Sequence, residues 1–231
     1  GSRLSAGTSE TLSATIEIQD NAPGQYFLIF SEVDGRVQFE TSEDNNQLTR
    51  AITVRVPDLV VSTADAPDVA VLGEQISLTF DVLNQGDAAA AASRLDRVLF
   101  SEDAIADAGD RQLLLRSSSG DAPLAPGESL SISGDVNIPL QIAAGDYFLL
   151  FIADENLREF ESDETNNVLA RPLRVDGADL IVESVEVPAA ADFGDEISVS
   201  WTIRNTGTAA VNANVLDQIV LRRARELHPV I

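Results

Sequence analysis

Apolar and polar residues alternate with a period of two through much of this chain. Ile76, Leu78, Phe80 and Val82 interleave with Ser77, Thr79 and Asp81, the pattern of a strand with one face buried. Ile197, Val199, Trp201 and Ile203 keep the same phase against Ser198, Ser200, Thr202 and Arg204. Leu130, Ile132, Val136 and Ile138 alternate likewise, and Leu12, Ile16 and Ile18 echo them. Residues 147–152 are apolar on both faces, which predicts a central strand. The alanine run 88–92 is too short for a stable helix and adjoins a glycine turn.

Between 57 and 176 the pattern predicts seven strands, at 58–65, 75–83, 94–101, 111–116, 129–137, 146–153 and 168–175. Turn chemistry separates most of them: Asn84-Gln85-Gly86-Asp87, Ser117 to Asp121, and Ala125-Pro126-Gly127-Glu128. Seven short strands with no interleaved helix predict an all-β fold, an antiparallel Greek-key sandwich of immunoglobulin type.

The chain also repeats itself. Residues 26–61 return as 147–182 with 15 identities in 36 aligned pairs, and 73–100 return as 194–221 with 10 in 28. The displacement is 121 positions, and 120 before the turn at Ala22-Pro23-Gly24. A period this long implies whole domains in tandem, where periods of 20–50 residues imply solenoids. The expected division is a C-terminal half-repeat at 1–56, a complete repeat at 57–176, and an N-terminal half-repeat at 177–231. Pro57 and Asp176-Gly177-Ala178 mark the joins, and such short links leave neighbouring units little freedom. From Arg222 a basic tail breaks the repeat and reads as vector-derived, as Gly1-Ser2 reads as a cloning remnant.

Composition changes the picture in three ways. Hydrophobic residues make up 44%, enough for a packed core. No run of about 18 apolar residues exists, so no segment is expected to insert into a membrane as a helix. The net charge is −23, with 38 acids against 15 basic residues, all arginine; such a field repels nucleic acid and anionic lipid. Three readings of the acidity are open: a soluble surface, a saline habitat, or recruitment of Ca²⁺ by clustered carboxylates. Cysteine is absent, so no disulfide contributes and the redox compartment is unreadable.

Candidate chemistry is sparse. The acidic motif F-E-x-x-E-x-N-N occurs at 39–46 and at 160–167. Glu161, Glu164 and Asn166 offer oxygens that suit Ca²⁺; in the alternative reading Phe160 plugs the core end, Asn residues hold turns and the acids stay solvated. In the loop 101–110, Asp103, Asp107 and Asp110 form a second candidate Ca²⁺ set, without EF-hand spacing. Tyr26 and Tyr147 follow turns at the start of late strands, as in a tyrosine corner. Trp201, the only tryptophan, takes the inward phase of Phe80. Asp96 and Asp217 read either as inward or edge-facing acids that block edge pairing or as cation ligands. A Ser-His-Asp arrangement would depend on the sole histidine, His228. No catalytic residue and no organic cofactor are assigned; no enzyme activity is expected.

Asp58-Leu59-Val60-Val61, Asn84-x-Gly86, the strand 96–101, Leu124-Ala125-Pro126-Gly127 and Glu161-x-x-Glu164-x-Asn166-Asn167 together resemble the CARDB module, the cell-adhesion-related domain found in bacteria. The resemblance extends over residues 3–221. It implies immunoglobulin-like repeats on secreted or cell-surface proteins, acting as non-catalytic spacers and interaction domains. Alternatives are a Ca²⁺-dependent adhesion module or an accessory domain of a secreted hydrolase. Expected partners are neighbouring repeats of the same protein. A homo-oligomer joined through the complementary half-repeats is also expected, because half a sandwich cannot cover its own apolar face.

Overall fold

The computed structural model describes residues 4–18, 23–31, 45–211 and 214–223. Their strands in chain order are β1 (Gly24–Ser31), β2 (Gln47–Val54), β3 (Leu59–Asp65), β4 (Val69–Val71), β5 (Gln75–Asn84), β6 (Leu95–Ser101), β7 (Arg111–Ser117), β8 (Ser129–Asn137), β9 (Gly145–Ile152), β10 (Val168–Asp176), β11 (Leu180–Glu186) and β12 (Ser200–Asn205). All seven strands expected between 58 and 175 form, each end within a residue of its expected place. The three-residue β4 escapes sequence reading because so short a run shows no alternation. Residues 39–44 of the first acidic motif (39–46) and residues 224–231 of the tail, with His228, lie outside the described residues.

Strands β3 to β10 build two facing sheets, ordered β3-β5-β8 and β4-β10-β9-β6-β7. The chain crosses between them after β5, β7 and β8, which makes the antiparallel Greek-key sandwich. After β3 it also switches sheet, so that β4 pairs parallel to β10 with Val69 opposite Arg174, and it returns after β4. The inward phase supplies the core. Ile76, Leu78, Phe80 and Val82 of β5 meet Val98 and Phe100 of β6, Leu149 and Phe151 of β9, and Leu173 and Val175 of β10. Burying each such side chain contributes about 1.5–3 kcal/mol. The doubly apolar β9 is central, as its pattern required. Its other face packs Leu150 and Ile152 with Leu99 of β6 in a second, smaller cluster.

Strands β1 and β2 form one separate two-stranded sheet, β11 and β12 another. Their registers repeat those of the sandwich. Tyr26 lies opposite Ile52 in β1–β2, as Tyr147 lies opposite Leu173 in β9–β10. Leu180 lies opposite Asn205, as Leu59 lies opposite Asn84, and both pairings slip at the same place, after Val182 and Val61. Among the described residues no helix is long and apolar enough to cross a membrane.

Candidate functional site

The densest polar chemistry lies at one end of the sandwich, where the chain enters β3. Asn84, at the end of β5, is fully buried. Its Oδ1 accepts from the Asp58 amide (3.2 Å) and the Gly86 amide (3.0 Å), while its Nδ2 donates to the carbonyls of Ala88 (2.7 Å) and Leu124 (2.8 Å). Gly86 completes the knot by close approach: a Cβ there would stand 2.5 Å from the Asp58 nitrogen. The Asn-x-Gly turn is thus a clamp on the segment that enters the domain.

The acidic motif closes the same end. Glu161 Oε2 accepts from the Leu59 amide, and Glu161 Oε1 from Asn167 Nδ2 at 2.9 Å. Asn166 Nδ2 and Ser162 Oγ donate to the two oxygens of Asp58, each at 2.9 Å, and the Ser162 amide donates to the Pro57 carbonyl. Glu164 Oε1 accepts from the Glu161 amide at 3.1 Å. The structure reverses the expected roles of the first two motif residues. Phe160 is 43% exposed and plugs nothing, whereas Glu161 is buried at 4%. Glu161 earns that position by receiving two donors at the start of β3. Burial pushes its carboxyl up to about 7, against the Leu59 and Asn167 hydrogen bonds and with the charges of Glu164 and Asp154.

A second buried group joins Asp96, for which an inward position is one reading, to an arginine that the sequence reading missed. Arg94 and Asp96 are both fully buried, Nε to Oδ1 3.5 Å apart, and Arg116 Nη1 reaches the other Asp96 oxygen at 3.8 Å. Asp96 also accepts from the amide of Asp154, whose backbone takes φ 43°. Burial raises the carboxyls of both aspartates, opposed by Arg94. Asp96 does not guard an edge, because β6 lies between β7 and β9. The spacing of Arg94 and Asp96 by two, in phase with Val98 and Phe100, was the available signal that this ion pair turns inward. Asp217, its counterpart, is exposed in irregular structure.

Asp103, Asp107 and Asp110 line one recess of about 360 Å³, with Phe100, Arg111 and Tyr147 in the same lining. Each carboxylate accepts a local amide: Ile105 on Asp103 (2.8 Å), Gly109 on Asp107 (2.6 Å) and the Asp107 amide on Asp110 (2.8 Å). The first two are the Asx turns that short acidic side chains make, and the third reaches back three residues to close the loop. Among the described residues no group of three acidic, histidine or cysteine side chains converges as a metal site. Tyr147 donates to the Ala143 carbonyl at 2.9 Å, the tyrosine corner its position implied.

Solved structures with a similar fold include the CARDB domain of a Pyrococcus furiosus protein, in complex with di-metal ions. It is 24% identical, with 54% of this chain and 97% of that one covered and a TM-score of 0.41. A domain of a "putative cell surface protein" from Methanosarcina acetivorans is 21% identical, covering 52% and 92%, TM-score 0.39. A Listeria innocua β-glucosidase aligns at 13% identity over 55% of this chain but only 17% of its own, TM-score 0.34. No curated protein matches the chain in sequence. The CARDB family model matches residues 56–171, which contain the Asn84 clamp, the Arg94–Asp96 pair and the acidic motif, and the chain therefore belongs to the CARDB family of cell-surface-associated domains.

Proposed function

We propose that this chain is a non-catalytic spacer and interaction segment of a cell-surface or secreted protein, in which sandwich units follow one another through stiff joins. The observation that carries this reading is the join at Gly177. On one side the Leu72 amide donates to the Asp176 carbonyl at 3.0 Å, and Gly177 packs against Leu72 and Ala144. On the other, the amides of Thr208 and Ala209 both donate to the Gly177 carbonyl, at 2.8 and 3.0 Å, and the Gly177 amide donates back to Thr208 Oγ1. Asn205 clamps the Asp179 amide at 3.0 Å, as Asn84 clamps that of Asp58. A link whose few residues are bonded from both sides has little freedom left to swing. The polar groups of the sandwich support the same reading, since Asn84, Glu161 and Asp96 bond to the fold itself and not outward.

Small-angle scattering tests this on the intact chain. A variant with a Gly-Ser-Gly-Ser insertion after Gly177 should show a broader distance distribution than wild type. Identical profiles would mean the native join already swings freely.

A second reading, Ca²⁺-dependent adhesion, draws on the presence of Asp103, Asp107 and Asp110 in the lining of one recess. A rise in melting temperature with Ca²⁺ over chelator, lost in Asp107→Asn, would support it.

A further inference from the structure

We propose that the connection between β9 and β10 binds a monovalent alkali cation through Asp154 Oδ1, Asn166 Oδ1 and Asn167 Oδ1. The proposal goes beyond the spacer reading and does not depend on it, because it concerns this connection alone.

Asp154 takes its place by leaving the strand. Its φ of 43° breaks the alternation of β9, and the side chain is 0% exposed. Its Oδ2 accepts the Glu159 amide at 2.8 Å, and the Arg158 amide lies near the same carboxyl. Asn167 is 4% exposed and gives its Nδ2 to Glu161, while Asn166, half-buried, gives its Nδ2 to Asp58. Each of the three side chains thus uses one arm to hold the fold. The other arm ends in a buried oxygen that accepts no hydrogen bond among the described residues.

The three oxygens belong to one neighbourhood. The Ala153 amide donates to the Asn167 carbonyl at 3.0 Å, one step beyond the Ile152–Val168 pair, so the β9–β10 ladder runs on to this end. Asp154 and Asn166 are the next residues on its two sides, where cross-strand neighbours meet. Glu161, bonded to Asn167, feels the charge of Asp154, and both feel that of Glu164.

What these atoms call for is positive charge. All three are acceptors, and a buried acceptor without a partner is costly. Three carboxyl groups crowd the place, and the guanidinium that reaches Asp154, that of Arg94, is paired with Asp96 at 3.5 Å. A water supplies two hydrogens for three acceptors and no charge; a cation serves all three. The charge of the ion follows from the oxygens. Asp154 brings one negative charge and the two amide carbonyls none, while both Glu161 oxygens already accept from Leu59 and Asn167. Ca²⁺ takes about six to eight oxygens, carboxylates prominent among them, and among the described residues no three carboxylates converge. One charge among neutral carbonyls suits an ion of one charge. The net charge of −23 concentrates such ions around the chain.

Melting of the whole chain tests this as sodium chloride replaces choline chloride at constant ionic strength, which holds screening fixed. The sandwich transition should rise along a saturating curve, by about 4–6 °C once sodium stands roughly tenfold above its dissociation constant. Asp154→Asn sets an amide nitrogen in place of Oδ1 and so supplies the donor that Asn166 and Asn167 lack. It should abolish the sodium response and melt in choline no lower than wild type. Asp65→Asn, the same charge change at a side chain 97% exposed, should keep the response. Asn166→Ala should move the midpoint of the sodium curve to higher concentration, which decides the matter if Asp154→Asn does not fold. Equal melting of wild type in the two salts overturns the proposal, as does a gain with Ca²⁺ and none with Na⁺. A response that survives Asp154→Asn, or a midpoint unmoved in Asn166→Ala, overturns it too, since the ion then binds elsewhere.

Discussion

Phe80 and Phe151 meet between the two sheets at 5.4 Å with their rings tilted by 56°, the offset geometry that aromatic quadrupoles favour. Both are fully buried, and they tie β5 to β9 across the whole thickness of the sandwich. Replacing Phe151 with Ala should lower its stability by about 3–5 kcal/mol, through lost transfer energy and the cavity left behind. Phe30→Ala, at the equivalent position of β1, should leave the main unfolding transition within about 0.5 kcal/mol of wild type. Urea unfolding followed by circular dichroism compares the two; equal losses would mean the flanks and the sandwich unfold as one.

Asn84 uses both donors and both acceptor sites of its amide. Asn84→Ala strands the Asp58 and Gly86 amides and the carbonyls of Ala88 and Leu124, with an expected cost of about 3 kcal/mol. Asn205 makes three of the same bonds, to Asp179, Gly207 and Ala209, in an exposed setting. Asn205→Ala should therefore leave the sandwich intact and speed amide exchange at Asp179 and Gly207. Unchanged exchange there would show that the clamp does not stiffen the join.

Glu161 should make the sandwich lose stability as pH rises. Its folded carboxyl titrates near 7, above its ordinary value of 4.5. The unfolded chain thus releases this proton first. The stabilising contribution is complete below about pH 4.5 and is lost as pH rises through 7, on the order of 3 kcal/mol. Asp96 and Asp154 are raised by burial and act in the same direction. Glu161→Gln should flatten the profile between pH 4.5 and 7.5. A wild-type profile that is already flat across that window, or one unchanged by the substitution, would show that Glu161 ionises normally in the fold.

Calcium should leave the melting temperature unchanged relative to chelator. The carboxylates of Asp103, Asp107 and Asp110 already accept turn amides, and the positive charge of Arg111 lines the same recess. A clear rise would transfer the proposed function to Ca²⁺-dependent adhesion.

The strands were legible because each half-buried strand writes its facing into the chain as alternation, and β9 wrote its central position by being apolar on both sides. Strand β4 left no such trace in three residues. The clamp around Asn84 was legible as a turn, though not as the lock on Asp58, because that contact joins residues 26 positions apart. The acidic motif misled for a physical reason. Hydropathy sends Phe160 inward and Glu161 outward, yet two donors at the start of β3 converge on the Glu161 carboxyl and hold it inside, at a desolvation cost that raises its pKa. Arg94 was missed on the same grounds, since hydropathy sends a guanidinium outward, even though an inward reading of Asp96 was open and a buried acid calls for a partner.

The stiffness of the join at Gly177 is the central functional claim, and ¹⁵N relaxation tests it most directly, at concentrations where the chain is a single copy. Amides of β5, β9 and β10 and those of β11, β12 and residues 177–179 are expected to share one rotational correlation time, with high order parameters through the join. Faster, independent tumbling of β11–β12, with low order parameters at Gly177 and Ala178, would contradict it.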